Sequence, residues 1–294
     1  MRLLLLIPSS SYKAFDFLKA AEELQVELIV ASNRPQTLEA IAPENLLTLD
    51  YHDVHRSTER ILQLAAEKPV TAVVSSDDEG NLLAAAISKA LLLPHNPKAA
   101  IAATWDKAML RERLSAALLP SPSFRVFSTK DRPETVSDRI RYPVVLKPTG
   151  LSGSQGVIRA NDPKAFCQAF QRIKTLFTDP EVLRKVGEKP KEILVEEYIS
   201  GPEVAFEGLL QKGHLSRLAL FDKPDPLEGP FFEETLYITP SRLSASSQAG
   251  ILHVVQKGIH ALGLKEGPIH AELRLPPKGN GPVLIEIAAR TIGG

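Results

Sequence analysis

One segment, residues 143–157, constrains the fold of this chain more than any other. It opens with an apolar run at 144–146, which is typical of a buried strand, and the run ends at Lys147. Pro148 has no N–H to donate, so strand pairing stops there. The glycine-rich loop at 150–156 lets the backbone approach a ligand closely and direct its N–H groups at an anion. The pattern suits a polyphosphate, although a strand with a surface-reaching lysine and an ordinary glycine-rich turn would also produce it.

Several classes of protein are excluded or disfavoured by the rest of the sequence. The loop lacks the Gly-Lys-Ser/Thr of a Walker A motif and the Gly-x-Gly-x-x-Gly of a dinucleotide site. Lys and Arg number 35, as do Asp and Glu, so we expect no binding to nucleic acid or to an anionic membrane through bulk charge. No stretch approaches the roughly 20 apolar residues of a membrane helix. The single cysteine, Cys167, lies in a helical pattern as buried filler and is compatible with a cytoplasmic location.

Residues 1–95 alternate strand and helix patterns, which predicts a small parallel sheet covered by helices. Strands are predicted at 3–7, 27–31, 46–49 and 70–75, and helices at 13–24, 56–68 and 81–92. Ligands meet such sheets at the carboxyl ends of the strands, where the polar residues 75–79 lie. We interpret those residues as an N-capping cluster of the following helix. The turn at 94–97 marks a domain boundary.

The second part of the chain mixes helices with antiparallel patterns. A single helix is predicted at 99–118, and residues 179–191, which are charged and without a clear period, are predicted to be a surface excursion. The remaining elements are helices at 163–177 and 245–262, a strand at 192–199, a hairpin at 203–221, a long loop at 222–232, and strands at 269–275 and 283–287.

Four motifs occur in a characteristic order: residues 143–157, Ile-Leu-Val-Glu-Glu-Tyr-Ile-Ser-Gly-Pro-Glu at 193–203, Ala-Glu-Leu-Arg at 271–274, and Leu-Ile-Glu-Ile-Ala-Ala-Arg at 284–290. Together they resemble the ATP-grasp superfamily, and especially its carboxylate–amine ligases, the group of D-alanine–D-alanine ligase, L-amino-acid ligases and carbamoyl-phosphate synthetase. The resemblance implies an α/β (α+β grasp) fold.

The same resemblance implies two domains. A pre-ATP-grasp domain at 1–95 would contain the parallel sheet, and a two-lobed ATP-grasp domain would occupy 96–294. Its small nucleotide-binding lobe would span about 122–198 and its C-terminal lobe about 199–294. Most relatives continue beyond the Arg-x-x-Gly-Gly segment, so we expect either that the domain is truncated at Gly294 or that the missing part comes from elsewhere.

The resemblance also implies ATP as cofactor, with Mg²⁺, or alternatively Mn²⁺. Lys107 and Lys147 would hold the α- and β-phosphates as point charges. Glu203 would accept hydrogen bonds from the ribose hydroxyls. The loop would close over the β- and γ-phosphates, and the adenine would lie beside the end of the following strand; the residues implied are Gly150, Ser152, Gly153, Ser154 and Gly156 for the loop, and Glu196, Glu197, Tyr198 and Ile199 for the strand. Gln155 stands where the family often has a basic residue.

Glu272 and Glu286 are carboxylates that each lie within an apolar strand. If their hairpin turns symmetrically about Gly279, the two stand directly opposite each other. Burying two anions together requires a counter-charge, whereas two outward-facing glutamates on a solvated face would need none. The resemblance implies the first case, with magnesium bound by both carboxylates and by the phosphates of ATP. Ala288 stands where many members have a second metal ligand, so the number of bound metal ions, one or two, stays open.

The implied reaction joins a small-molecule carboxylate to an amine through an acyl phosphate and releases ADP and phosphate. Arg290 and Lys223 would stabilise the phosphate or acyl-phosphate oxygens. The substrates would lie along 222–234, with Phe231, Phe232, Glu233 and Glu234 as candidate contacts. Two alternatives stay open: a truncated or non-catalytic nucleotide-binding module, and a different ATP-grasp enzyme such as a carboxylase component. A homo-oligomer is also compatible with the sequence.

Overall fold

The computed structural model describes residues 1–9, 11–35, 45–187, 191–232, 234–277 and 281–293. Three residues named above, Glu233, Gly279 and Gly294, lie outside the described residues. Within the described ranges the chain forms three four-stranded sheets and eight α-helices. The described helices include none that combines the length and the apolar character required to cross a lipid bilayer.

The first sheet is parallel, as the alternating strand and helix patterns predicted. Its strands are β1 (Arg2–Leu6), β2 (Glu27–Ser32), β3 (Leu46–Thr48) and β4 (Ala72–Ser75), in the order β3-β2-β1-β4. The helices of this part are α1 (Ala14–Glu23), α2 (Val54–Glu67) and α3 (Asp78–Ala90). Its core buries Leu4, Leu6 and Ile29 of the sheet against Ile61 of α2 and Leu83 of α3.

The acidic residues at the start of α3 correct one expectation. Asp77 occupies the N-cap position but its side chain accepts no capping hydrogen bond from the helix, because it accepts one from the Ser76 hydroxyl instead. Asp78 and Glu79 form the first turn of α3 and bind arginines from distant parts of the chain. The cluster thus lies at the N-terminus of α3 as predicted, but Asp77 supplies no side-chain cap, and Asp78 and Glu79 connect the parallel sheet to the rest of the molecule.

The single helix predicted at 99–118 is two helices, α4 (Lys98–Trp105) and α5 (Lys107–Ala116). The break lies at Asp106, whose carboxylate accepts hydrogen bonds from the N–H groups of Ala108 and Met109, at 2.9 and 3.2 Å, and so caps α5. Lys107 consequently begins a helix. Its backbone N–H donates to the carbonyl of Thr149, which attaches α5 to the glycine-rich loop.

The second sheet is antiparallel, with strands β5 (Phe124–Ser128), β6 (Val144–Pro148), β7 (Ile158–Ala160) and β8 (Glu192–Glu197) in the order β5-β8-β6-β7. Helix α6 (Pro163–Leu176) covers one face of this sheet and buries Phe166 and Phe170 against it. The predicted surface excursion contains a helix, α7 (Pro180–Val186), whose first turn Asp179 caps with its carboxylate. The alternation of side chains leaves Lys147 and Glu196 on the opposite face, away from α6.

The third sheet is also antiparallel and lies at the C-terminal end of the described chain. Its strands are β9 (Glu203–Gln211), β10 (His214–Lys223), β11 (Gly267–Arg274) and β12 (Val283–Ala288), in the order β10-β9-β11-β12. Helix α8 (Ala245–Leu262) packs on this sheet together with α4 and α5. The register pairs Glu272 with Glu286, as predicted, and a bulge follows directly after Glu272.

Candidate active site

A cleft between the second and third sheets brings together most of the residues that the sequence motifs singled out. Strands β6 and β8 form one wall, strands β11 and β12 form the other, and the start of α5 closes one end. Predicted site residues that line the cleft are Lys107, Lys147, Gly153, Ser154, Glu196, Glu197, Tyr198, Ile199, Glu203, Glu272 and Glu286.

Lys147 lies at the base of the cleft in a buried ion-pair network. Its ammonium contacts one carboxylate oxygen of Glu196, and the Arg111 guanidinium lies 2.9 Å from the other. Burial raises the pKa of the Glu196 carboxyl, but Arg111 and Lys147 outweigh burial and hold that pKa below its usual value. Arg111 was missed in the sequence, although it lies one helical turn after Lys107 and the same face of α5 could have suggested it.

Lys107 lies between the glycine-rich loop and the carboxylates of the third sheet. Its ammonium donates to the carbonyl of Leu151 at 2.5 Å and lies 3.7 Å from Oε2 of Glu286. The side chain is 10 % exposed, although a helix lysine is normally solvated. A cation in this position faces both the loop and the acidic hairpin.

The glycine-rich loop separates the cleft from a second pocket. Gly153 and Ser154 adopt positive φ angles of 63° and 55° and line the cleft, whereas Gly150 and Ser152 line the neighbouring pocket. Gly156 lines neither cavity. It has a φ of +73°, and a Cβ at this position would lie 2.9 Å from Cγ of Pro148, so glycine is required here for backbone conformation and packing.

Lys223 lies at the centre of a cluster of three carboxylates. Its ammonium is fully buried and lies 2.8 Å from Glu203, 2.6 Å from Glu234 and 2.8 Å from Glu272. Burial lowers the pKa of Lys223, but the three carboxylates outweigh it and raise the pKa above its ordinary value. The three carboxylates are close enough together to hold a metal ion, yet in this arrangement their oxygens converge on the ammonium. The predicted contact between Lys223 and a phosphate therefore stays a prediction.

Glu203, which is predicted to bind the ribose, also takes part in an ion pair with Arg274. Its second carboxylate oxygen accepts a hydrogen bond from Nε of Arg274 at 2.9 Å. Arg274 further donates to the Tyr198 hydroxyl at 3.1 Å and to the Ile199 carbonyl at 3.0 Å. Arg274 therefore holds the segment after β8 in place. It is the last residue of the motif Ala-Glu-Leu-Arg, and the sequence analysis gave it no role.

The predicted metal pair, Glu272 and Glu286, faces the cleft with each side chain 20 % exposed. Lys223 and His270 both contact Oε1 of Glu272, at 2.8 and 3.5 Å, and leave Oε2 for a cation. His270 also lies 2.5 Å from Glu207. Burial lowers the pKa of His270, but the two glutamates outweigh it and raise that pKa to about 9. Two opposed carboxylates with open oxygens are the hard ligands that Mg²⁺ prefers, so these residues fit the metal.

The end of β8 offers backbone groups at the far end of the cleft. The N–H of Glu197 donates to the carbonyl of Ser123, and the N–H of Tyr198 donates to the carbonyl of Pro143. The N–H of Ile199 has no hydrogen-bond partner among the described residues. Beside the predicted position of adenine, the N–H of Ile199 is thus available in this conformation, while the N–H groups of Glu197 and Tyr198 are engaged.

The loop after β10 narrows the cleft. Phe232 and Glu234 line it, while Phe231 is 46 % exposed and lies outside it under the guanidinium of Arg172, which is 4.9 Å from the ring centroid. The free volume of the cleft is about 70 Å³. This volume is smaller than the roughly 300 Å³ or more that small-molecule sites usually offer.

The second pocket, here called the junction pocket, has a volume of about 290 Å³ and lies between the first sheet and the glycine-rich loop. Arg290 lines this pocket and not the cleft, and its Nε donates to Oδ2 of Asp78 at 2.7 Å. The other oxygen of Asp78 is buried and accepts no hydrogen bond from any described residue. Lys13, which the sequence reasoning missed, donates to the carbonyl of Ser76 and the hydroxyl of Thr291, and burial lowers its pKa. The pocket thus contains both signs of charge.

This chain resembles known proteins in sequence and in fold. A family model described as an ATP-grasp domain matches residues 140–294. The chain is 28% identical to alanine–anticapsin ligase of Bacillus subtilis over 64% of its own length and 41% of that protein. It is 27% identical to dapdiamide A synthase of Enterobacter agglomerans, over 83% of its own length and 56% of that protein. The crystal structure of an L-amino acid ligase from Bacillus licheniformis superposes with a TM-score of 0.82 at 28% identity, covering 99% of this chain and 68% of that one. The chain therefore spans about half the length of the curated relatives it matches.

Proposed function

The chain belongs to the ATP-grasp family, and we propose that it is an ADP-forming carboxylate–amine ligase that makes an amide or peptide-like bond. The proposal rests on one observation above the others. Leu151 and Gly153 of the glycine-rich loop line both the cleft and the junction pocket. A nucleotide whose γ-phosphate lies at this loop would present it to a substrate in the junction pocket.

In this proposal Lys107 and Lys147 bind the nucleotide phosphates from the base of the cleft. Glu272 and Glu286 would hold Mg²⁺, which neutralises phosphate charge when bound. The substrate carboxylate attacks the γ-phosphorus, the bond to the bridging oxygen breaks, and ADP leaves. The amine then attacks the acyl carbon and loses a proton, and phosphate leaves. Arg290, on the substrate side of the loop, would stabilise the oxygens of the acyl phosphate. Positioning and charge neutralisation supply the catalysis.

The junction pocket favours a substrate that carries both charges. Its cations, Lys13 and Arg290, suit a carboxylate, while Asp78 offers a buried, unpartnered oxygen to an ammonium group. The names of the relatives agree, because alanine–anticapsin ligase and L-amino acid ligase both refer to amino acids. We therefore include free amino acids among the substrates, and we place the reaction in the cytoplasm, where they coexist with ATP.

The test is amine-dependent release of ADP by the purified chain, given magnesium, ATP, and pooled amino acids and small carboxylates. Lys147→Ala should abolish release, whereas Lys164→Ala, an exposed lysine on α6, should not change it. Thermal unfolding of both variants shows whether they are folded. Release of AMP in place of ADP would contradict the acyl-phosphate mechanism.

A second candidate, a nucleotide-binding module without turnover, is favoured by Ala288. This residue pairs with His270 in the register of β11 and β12, and its methyl side chain offers no oxygen to a second metal ion. Binding of ATP without release of ADP under any substrate pool would establish the module and refute the ligase.

A further inference from the structure

A separate cavity lies on the reverse face of the second sheet, the face that α6 covers. Arg125 of β5 pairs with Val195 of β8, which pairs with Leu146 of β6. Directly paired residues point to the same face, and Val195 and Leu146 belong to the core beneath α6. Arg125 therefore points away from the nucleotide cleft. It lines a cavity of about 440 Å³, here called the reverse-face cavity.

Three arginines converge on this cavity: Arg125, Arg139 and Arg141. All three side chains are exposed, and none forms an ion pair or a hydrogen bond with a described residue. Two glutamates also line the cavity. Glu197 accepts a hydrogen bond from the Ser123 hydroxyl at 3.1 Å, and the carboxylate of Glu196 is bound by Arg111 and Lys147. Asp138 lies next in sequence to Arg139, but it too forms no ion pair with the three arginines.

The contrast with other arginines of the chain is informative. Arg111, Arg184, Arg274 and Arg290 each lie within hydrogen-bond distance of a glutamate or an aspartate. The chain as a whole has a net charge of zero, so the positive charge around the reverse-face cavity is a local concentration. Three like charges around one concave surface repel one another unless an anion lies between them.

We infer that the reverse-face cavity binds a small polyanion, of the class of pyrophosphate or a phosphorylated metabolite. Guanidinium groups match phosphate oxygens in pairs, and several arginines can hold more than one phosphate. The cavity lies in the roughly 300–1,000 Å³ range of small-molecule sites. Tyr142, fixed by a hydrogen bond from its hydroxyl to the Ser137 carbonyl at 2.9 Å, supplies an aromatic wall for an organic part of the ligand.

Such a ligand would lie against the same protein wall as a nucleotide in the cleft, on its opposite side. Glu196, Glu197 and Tyr198 line both cavities, because the end of β8 forms a wall of each. A ligand that changes the position of this segment changes the affinity for a nucleotide in the cleft, and the nucleotide changes the affinity for the ligand by the same factor. This coupling rests on the proposed nucleotide site, whereas the anion site itself does not.

The test is calorimetric titration of the intact chain with inorganic pyrophosphate at low ionic strength, with and without saturating ADP and magnesium. ADP occupies the cleft, so pyrophosphate binding that persists reports a second site. The double variant Arg139→Ala, Arg141→Ala should weaken this binding by at least about tenfold, since each lost charged hydrogen bond costs roughly that factor. Arg132→Ala, an exposed arginine of the same segment that does not line the cavity, is the matched control and should bind as the unaltered chain does.

Three results would overturn the inference: no pyrophosphate binding in the presence of ADP, binding that the double variant retains, or an equal loss in Arg132→Ala, which would indicate surface charge alone. All three substituted side chains are exposed, so the variants should unfold at the temperature of the unaltered chain. If ADP itself does not bind, the proposed nucleotide site is refuted. The anion site is still tested in that case, by whether the unaltered chain binds pyrophosphate and the double variant does not.

Discussion

Glu272 lies directly opposite Glu286 across strands β11 and β12, and the two carboxylates are neutralised unequally. Lys223 contacts Glu272 at 2.8 Å and His270 lies 3.5 Å from it, and together they hold the pKa of Glu272 well below its usual value against the opposing effect of burial. Among the described residues, Glu286 forms an ion pair with Lys107 alone, at 3.7 Å. Glu286 is therefore the carboxylate of the pair whose charge can be removed with little effect on the stability of the fold.

The first prediction is that Glu286→Gln separates metal binding from stability. Magnesium-dependent binding of ADP should weaken by at least about tenfold, because a charged metal ligand is lost. The free energy of unfolding should fall by less than about 1 kcal/mol, because the ion pair with Lys107 is long and partly exposed. Titration calorimetry at several magnesium concentrations and urea unfolding provide the two readouts. Glu112→Gln, an exposed glutamate on α5, is the control, and an unchanged dependence on magnesium would contradict the assignment of Glu286 as a ligand.

The second prediction concerns Glu196, which is buried between Arg111 and Lys147. Glu196→Ala leaves two cations without their carboxylate and should lower the free energy of unfolding by about 3–5 kcal/mol. Glu196→Gln preserves the shape and one acceptor oxygen, so its loss should be smaller. Urea unfolding at pH 7 measures both, and equal, small losses would show that the network contributes little to folding.

Glu196 also predicts a dependence of stability on pH. Its pKa is lower in the folded state than in the unfolded chain, where it is about 4.3, so the folded state binds fewer protons. The contribution of Glu196 is therefore complete above that value and is lost as the pH falls through the folded-state pKa. The unaltered chain and Glu196→Gln should differ in free energy of unfolding by a constant amount at pH values well above 4, and this difference should become smaller as the pH approaches 4. A constant difference down to the lowest pH at which both fold would contradict this.

The sequence predicted those parts of the site that depend on local periodicity. The predicted pairing of Glu272 with Glu286 is confirmed, but not through a symmetric turn. The pairs nearer the turn, Leu273 with Leu284 and Arg274 with Val283, are one residue away from symmetry about position 279, and the bulge after Glu272, which was not expected, restores the predicted register. The helix break at Asp106 was missed because residues on both sides have helical patterns. The break depends on a side-chain cap and on a bond from the Lys107 N–H to the carbonyl of Thr149, which lies 42 positions away by the residue numbers.

The contacts of Lys223 show why the rest of the site was not predictable. Its three carboxylate partners come from β9, from the loop after β10 and from β11, and lie 11 to 49 positions away. Nothing in the local pattern around Lys223 indicates which acids will surround it, because the packing of the third sheet decides that. The same holds for Arg290, whose partner Asp78 lies 212 positions away at the start of α3.

The third prediction concerns the contact between α7 and the first part of the chain. Arg184 lies 3.0 Å from Glu79, which is only 16 % exposed, whereas Arg34 and Glu181 are 3.8 Å apart and mostly exposed. A double-mutant cycle with Glu79→Gln and Arg184→Gln should give a coupling energy of about 1 kcal/mol, and the cycle for the second pair should give almost none. Urea unfolding of the seven proteins, the unaltered chain and three variants for each pair, provides both values. Equal coupling energies would show that the burial of Glu79 does not strengthen its ion pair.

The last prediction compares two glycines in helix α8. A Cβ at Gly258 would lie 2.6 Å from Cδ1 of Ile287 and 2.8 Å from Cδ1 of Leu284, both in the core, while a Cβ at Gly250 would meet only Pro282 at 3.9 Å. Alanine in place of glycine within a helix stabilises by about 1 kcal/mol where space allows, so Gly250→Ala should raise the free energy of unfolding. At Gly258 the same gain is opposed by overpacking, which costs roughly 1–3 kcal/mol, because the terminal methyl groups can shift only into a filled core. Gly258→Ala should therefore be less stable than Gly250→Ala by about 2 kcal/mol in urea unfolding. Equal stabilities of the two variants would mean that β12 can move away from α8 at little cost, and with it the strand that contains Glu286.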